Sequence, residues 1–514
     1  MNKPDIIVIW WLLLIGTLLL ALLSVTAHAH ATEHLAPTAP LQSLNELSAS
    51  VPTTRSPTIK AWKLRQGTKV LFVENHTLPM FDIRINFAAG SNQDGNSPGV
   101  AAMVLSLFNE GTESKDANTL AKDYDRLGVA LGNGINREQS HFTLRSLSAP
   151  EIREPAMQLF TEMLSRPGFT PAGQRRVHHE LLTQIKNEQD QPHAVALTLL
   201  YNELYPEQPF PRSVYGSAQG IDQISDTQLR AFYRRAYTAA NAQMVIVGDI
   251  TQQQAQILSQ SLADALPQGP ALSVSQPLGA SNKIGSTQHL EEQASHTLIM
   301  LAQNAPPHQH PDTVAVRAGN VIFSHILNAH LREKHSVTYG VLSEIPHAQG
   351  ISPWIIALNT PSRYSASALA QIKTLFTRFL EQGPTEAELD DIKQYLLRAL
   401  PQLTASNLEM RNELSLINRF NQPLSFNYKT EQIQNMTREQ IQTAMNRHFS
   451  TAGWASVTLG PTVEQLPLPE MMEPGVMEAH TCRPTNWAAP GQHTKFGRRP
   501  LLWQLIHNAS PSSR

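Results

Sequence analysis

Apolar and polar residues alternate along residues 61–65 (AWKLR), 69–74 (KVLFVE) and 81–88 (FDIRINFA). The alternation and the β-branched content predict three half-buried strands, with turns at Gly67 and over residues 75–79. Residues 99–108 (GVAAMVLSLF) are almost wholly apolar and follow a Gly/Asn/Pro-rich stretch, so a helix entered from a loop is expected. Residues 117–127 form a second helix stopped by Gly128, and residues 129–136 and 139–146 read as a hairpin. Helices follow over 150–165, 171–189 and 227–237, then a buried strand at 242–248 (AQMVIVG) and a closing helix at 252–266. Residues 267–288 are rich in Pro, Gly and Ser and lack apolar periodicity, which predicts an interdomain linker. Beyond it the order of elements recurs: strand at 295–301, helix at 312–326, strand at 351–358, helices at 365–382 and 386–400, and strand at 454–460 (WASVTLG). Two copies of one α+β unit are therefore expected, each a mainly antiparallel sheet with helices packed on it.

With 514 residues the chain exceeds one ordinary core, in keeping with two units. A formal net charge of −2 gives no electrostatic case for nucleic acid or an anionic membrane surface. The single cysteine, Cys482, excludes an internal disulfide framework and a cysteine-rich zinc site, and reads as a free thiol. Residues 6–23 are apolar and lead into SVTAHAHA, a pattern for export with cleavage after Ala29 or Ala31. The alternative is an uncleaved N-terminal anchor, since the run is long enough to span a bilayer. Both place the body of the protein outside the cytoplasm, and the absence of a following cysteine excludes a bacterial lipoprotein anchor. The resulting division is an export segment (1–31), a loose lead-in (32–55), a first half (56–266), the linker (267–288), a second half (289–461) and a tail (462–514), expected to be largely disordered.

Residues 99–112, GVAAMVLSLFNEGT, resemble the zinc helix of the insulinase/pitrilysin-like metallopeptidases, whose pattern is G-[LIV]-A-H-x-x-E-H-x-x-[FL]-x-G-T. Gly99, Val100, Ala101, Gly111 and Thr112 match. The pattern's two histidines and glutamate fall on Ala102, Ser106 and Leu105. Histidines four apart share a helix face and one Zn²⁺, and the glutamate between them acts as general base on the metal-bound water. Ala102 has no donor atom, Leu105 cannot accept a proton and Ser106 is a poor zinc ligand. The family's third ligand, a glutamate on a later helix, aligns with Gln184, and its outer glutamate with Val177. The resemblance therefore implies a degenerate zinc site and no metal or cofactor in this chain. His178, His179 and Glu180 are consecutive, point in different directions around a helix and do not form a substitute ligand set.

Residues 331–340, LREKHSVTYG, are similar to the family's second-half signature L-R-E-x-x-G-x-x-Y, with Arg332 and Tyr339 at the matching positions. In the family this pair faces the zinc across a cleft and holds the substrate backbone. A guanidinium offers fixed donors to peptide carbonyls, and a phenol can stabilise a carbonyl oxygen as charge develops. Ser336 stands where the family has glycine, and Ile326 where it often has arginine. His330 and His335 beside the signature read as surface residues. The resemblance implies two half-domains facing each other as a clamshell. It further implies a periplasmic, non-catalytic subunit that binds peptide or unfolded protein and completes the site of a zinc-bearing partner chain of the same family. A stand-alone peptide-binding or assembly protein is the alternative, and an active metallopeptidase with an atypical metal site is a third reading.

Overall fold

Strand alternation and helix periodicity build two sheets with one topology. A computed structural model of the chain describes residues 56–205, 213–272, 285–350 and 352–470, which fall in one compact unit. The export segment with Ala29 and Ala31, most of the linker, Cys482 and the rest of the tail lie outside the described residues. Among those that are described, no helix is long and apolar enough to cross a membrane.

The first half runs β1 (Lys60–Lys63), β2 (Lys69–Glu74), β3 (Met80–Phe87), α1 (Val100–Leu107), α2 (Ala117–Leu127), β4 (Ala130–Ile135), β5 (Ser140–Leu147), α3 (Pro150–Ser165), α4 (Pro171–Gln189), α5 (Pro192–Leu204), α6 (Ala218–Asp222), α7 (Asp226–Ala236), β6 (Ala242–Gly248) and α8 (Gln252–Ala265). The second half runs β7 (Thr287–Glu291), β8 (His296–Ala305), α9 (Thr313–Leu327), a π-helical segment (Asn328–Lys334), β9 (Leu342–Glu344), β10 (Ser352–Pro361), α10 (Ser365–Gln382), α11 (Glu386–Leu403), α12 (Asn407–Phe420), α13 (Tyr428–Gln434), α14 (Arg438–His448) and β11 (Ala455–Gly460).

The first sheet has the order β1-β2-β6-β3-β5-β4 and the second β7-β11-β8-β10-β9. Each contains one parallel pair, β2 with β6 and β7 with β11, and is otherwise antiparallel. Without β1, the two orders superpose strand for strand. Helices α3, α4 and α5 start at 150, 171 and 192, and α10, α11 and α12 at 365, 386 and 407, a constant offset of 215 residues. The repeat expected from element order is thus carried by both topology and spacing. Thr287 and Gln288, read as the end of the linker, instead open β7, because they pair with Ser456 and Val457. The start of the expected tail is also held: Glu291 accepts from the Thr462 amide, Gln465 donates to the Ser362 carbonyl, and the Leu466 amide donates to the Arg363 carbonyl.

Alternation gives every strand two faces, and each face is covered differently. One face of the first sheet carries Phe72, Ile83, Ile85, Phe142, Met244 and Ile246 into a core shared with α1, α4 and α7 of its own half. The other face, with Leu71, Val73, Val245 and Val247, is closed by Met410, Leu414 and Ile417 of α12, a helix from the second half. Reciprocally, α5 of the first half lays Ala196, Leu200 and Leu204 on Met300, Ala302, Ile355 and Val457 of the second sheet. The sequence pattern assigned no helix to α5, α12, α13 or α14.

Charge completes the junction. Asp82 of β3 is fully buried; Arg145 Nε donates to it at 3.1 and 3.2 Å, and Arg411 Nη1 of α12 at 3.2 Å. Asn86 Nδ2 donates to Ser415 Oγ at 3.1 Å. Glu138, in the β4–β5 turn, pairs with Arg419 and accepts from the Gln349 amide at 3.0 and 3.2 Å. Near the same end of α12, His308 and His347 approach ring to ring, with Nδ1 atoms 3.0 Å apart, and His308 packs on Phe420. Burial, then the positive charge of Arg317, Lys429 and Arg419, pushes the His308 imidazole down to about 2. Burial, then Arg317, His308, Lys429 and Arg419, holds His347 well below its ordinary value.

Two outcomes follow. Leu200→Ala and Leu414→Ala each empty a fully buried position between the halves and should destabilise the protein by about 2–5 kcal/mol while keeping one cooperative transition in urea. The depressed histidines set the direction of the pH dependence. The unfolded chain takes up protons below about pH 6.5 and the folded chain does not, so their contribution is complete above that value. It is lost progressively as pH falls toward 2. Urea midpoints measured from pH 7 down to pH 4 should therefore decline, and the decline should be shallower in His308→Asn.

Candidate functional site

Helix α1 starts at Gly99, whose φ of 101° is left-handed. A Cβ there would lie 2.4 Å from Ile221 Cδ1 and 2.7 Å from the Tyr215 carbonyl oxygen, so only glycine fits. Asp94, in the preceding loop, accepts from the amides of Gly99 at 2.7 Å and Ala101 at 2.9 Å, satisfying donors that the first helical turn leaves open. Past its end, Gly111 (φ 108°) would bring a Cβ within 2.4 Å of the Lys115 carbonyl oxygen. Thr112 is buried, and its Oγ1 donates to Glu162 Oε1 of α3 at 2.7 Å. Hydrogen bonds from Ser114 and Thr112 hold the Glu162 carboxyl below its usual range, against the opposing effect of burial. Every retained glycine and threonine of the motif thus has a structural role that requires no metal.

The donor positions have a different environment. Ala102 and Leu105 are 1% and 5% exposed and pack in the same core as Val177, Leu181 and Ile185 of α4. Ser106 and Gln184 are half-buried. The fold brings α1 and α4 together, so the four positions belong to one helix pair. Two of them are apolar side chains inside the core, and this set does not fit a zinc ion. An ion pair ties the turn after α1 to α4 instead: Arg176 Nε of α4 donates to Glu110 Oε2 at 2.8 Å. His178 turns to Asp222 of α6 at 2.8 Å, while His179 and Glu180 are exposed, so the three consecutive residues do not converge.

Arg332 lies in the π-helical segment that continues α9, and Tyr339 in the loop after it. Arg332 is exposed and Tyr339 is 97% exposed; neither side chain has a hydrogen-bond partner among the described residues. The loop beneath them is fixed from within. The Val337 amide donates to the Leu331 carbonyl at 2.9 Å, Val341 N donates to Asn328 Oδ1 at 3.1 Å, and His335 Nδ1 donates to the Pro469 carbonyl at 2.8 Å. Ser336 has a φ of 52°, so the position where glycine was expected is left-handed and here carries a side chain that dislikes it. Ile326 packs against the second core. At the opposite end of the first sheet from β1, β4 is an exposed edge strand, and α1 packs beside it.

The comparisons agree with this geometry. A model described as Insulinase (Peptidase family M16) matches residues 69–218, and one described as Peptidase M16 inactive domain matches residues 223–396. A crystal structure of a peptidase M16 inactive domain from Pseudomonas fluorescens is 37% identical, with a TM-score of 0.76 over 80% of this chain and 100% of that one. The chain belongs to the insulinase family, peptidase family M16. A Helicobacter pylori relative called a non-peptidase homolog, YmxG, is 25% identical over 74% of this chain and 88% of its own length. Subunit 1 of the bovine mitochondrial cytochrome b-c1 complex is 21% identical over 52% of this chain and 56% of its own.

What the sequence pattern did not single out are two charged groups at the junction of the halves, Asp82 with Arg145 and Arg411, and Glu138 with Arg419. The one signal available was the charged residue set among β3's apolar positions.

Ser336→Gly should relieve the left-handed strain and raise stability by up to about 1 kcal/mol in thermal or urea unfolding.

Proposed function

We propose that this chain is the non-catalytic subunit of a periplasmic heterodimeric zinc endopeptidase. It binds peptide through Arg332 and Tyr339 and completes the active site of a zinc-bearing partner of the same family, the two halves facing each other across a cleft. The observation that carries the reading is the contrast on one helix pair. The glycine and threonine frame of the metal helix is kept, while Ala102 and Leu105 are sealed into the core.

Three further features support it. The name non-peptidase homolog belongs to a relative similar along most of its length. Arg332 sits on a π-helical turn, a geometry frequent at functional sites, with its donors unspent. Exposed β4 offers an open edge to which an extended peptide can add as a strand. The periplasmic location rests on the apolar N-terminal segment and its small-residue cleavage pattern.

The similarity to a respiratory-complex subunit favours, as a second reading, a peptide-binding or assembly protein without a peptidase partner. An active peptidase using an atypical metal arrangement is opposed by the apolar side chains at the donor positions.

A native pull-down of the tagged chain from periplasmic extract should return a stoichiometric partner with an intact His-x-x-Glu-His helix. Arg332→Ala should abolish peptide turnover by the reconstituted pair and leave its assembly unchanged. Unchanged turnover would remove Arg332 from the site, and absence of any such partner would leave the assembly reading.

A further inference from the structure

In the second half, far along the sequence from the degenerate helix, two imidazoles and a carboxylate converge. His310 and Asp312 lie on the turn that leads into α9, and His448 is the last residue of α14. One ligand atom from each lies within 4.8 Å of the others. His448 Nε2 is 2.9 Å from Asp312 Oδ2, and His310 Nδ1 is 3.8 Å from the same oxygen. The two rings stand nearly perpendicular with centroids 4.7 Å apart. Side-chain exposures are 36% for His310, 17% for Asp312 and 16% for His448, so the cluster is shielded but open on one side.

We propose that His310, Asp312 and His448 bind a divalent transition-metal ion, with zinc as the best match. Two imidazole nitrogens and one carboxylate oxygen are the donor set of many three-ligand zinc sites, with water in the fourth position. The scaffold is already ordered for it. The Pro307 carbonyl accepts from the His310 amide at 2.9 Å and from Thr313 Oγ1 at 2.9 Å, and the His310 carbonyl accepts from the Thr313 amide at 3.0 Å, which fixes the turn. The Asp312 amide donates to His310 Nδ1 at 3.1 Å, so that nitrogen is unprotonated, and its lone pair leaves the amide to reach an ion. The three donors meet where α9 starts and α14 ends, at one end of the contact between these helices.

One cation already uses the carboxylate: Arg447 Nη1 donates to Asp312 Oδ2 at 2.6 Å. Its side chain is 56% exposed, so release into water costs little. A metal ion binds here by displacing the guanidinium from Asp312 Oδ2.

The test uses the tag-free mature chain. Co²⁺ titration followed by visible absorption, with Zn²⁺ competition, should show one ion per chain. His310→Gln, Asp312→Asn and His448→Gln should each weaken binding at least tenfold, and Gln184→Ala, on the degenerate family site, should leave it unchanged. Circular dichroism of the metal-free proteins checks folding. His310 is the most exposed of the three, so His310→Gln carries the test if His448→Gln fails to fold. Absence of one-to-one binding in the wild type, or binding undiminished in His310→Gln, would overturn the assignment. Zinc lost with His310→Gln belongs to this site and says nothing about peptidase activity, so this result and the partner search fail independently.

Discussion

The structure depends on covering the second face of each sheet. Strands β2, β6, β8 and β10 carry apolar side chains on both faces, and the helices of one half cover only one of them. The remaining faces are closed by exchange, α5 across to the second sheet and α12 across to the first. Apolar burial supplies the free energy, and the pairs of Asp82 with Arg411 and Glu138 with Arg419 supply direction. A charge taken out of water is tolerated only where its partner arrives in place, so the ion pairs penalise any misplacement of α12 far more than apolar contact alone.

That constraint explains how a catalytic helix can lose its chemistry and keep its shape. Gly99 and Gly111 are fixed by their left-handed φ and by backbone oxygens that a Cβ would meet within 3 Å, and Thr112 by its bond to Glu162. These contacts belong to folding and persist whatever the donor positions hold. Once a metal is no longer needed, Ala102 and Leu105 gain by burial in the surrounding core what polar donors would lose there. The Glu110–Arg176 pair then joins the turn after α1 to α4 without an ion.

Much of this was legible in the sequence because it is local. Strands β2 and β6 and helices α2, α3, α4 and α10 were readable to the residue from alternation, Pro at the first turn and Gly at the end. The degenerate positions were readable because the frame around them fixes the alignment. Helices α5 and α12 were not, since each is amphipathic toward a sheet in the opposite half, and a chain divided at its linker offers no reason to look there. The left-handed backbone at Ser336 was signalled only by the glycine that the family pattern has at this position, since serine itself carries no such signal. His308 pairs with His347 across 39 positions, and His448 reaches Asp312 across 136, beyond the reach of any spacing rule.

The exchanged helices also change what the linker is for. In a chain whose halves merely touch, the linker sets how often they meet. Here each half holds a piece of the other's interior, so the halves relate as subunits of an obligate dimer encoded in one reading frame. The connection contributes proximity while the chain is still folding, and little once α5 and α12 are seated. A gene split within residues 273–284 would thus yield two polypeptides that each lack the cover of one sheet face and are soluble only together. Fusion and fission are, for this architecture, small evolutionary steps.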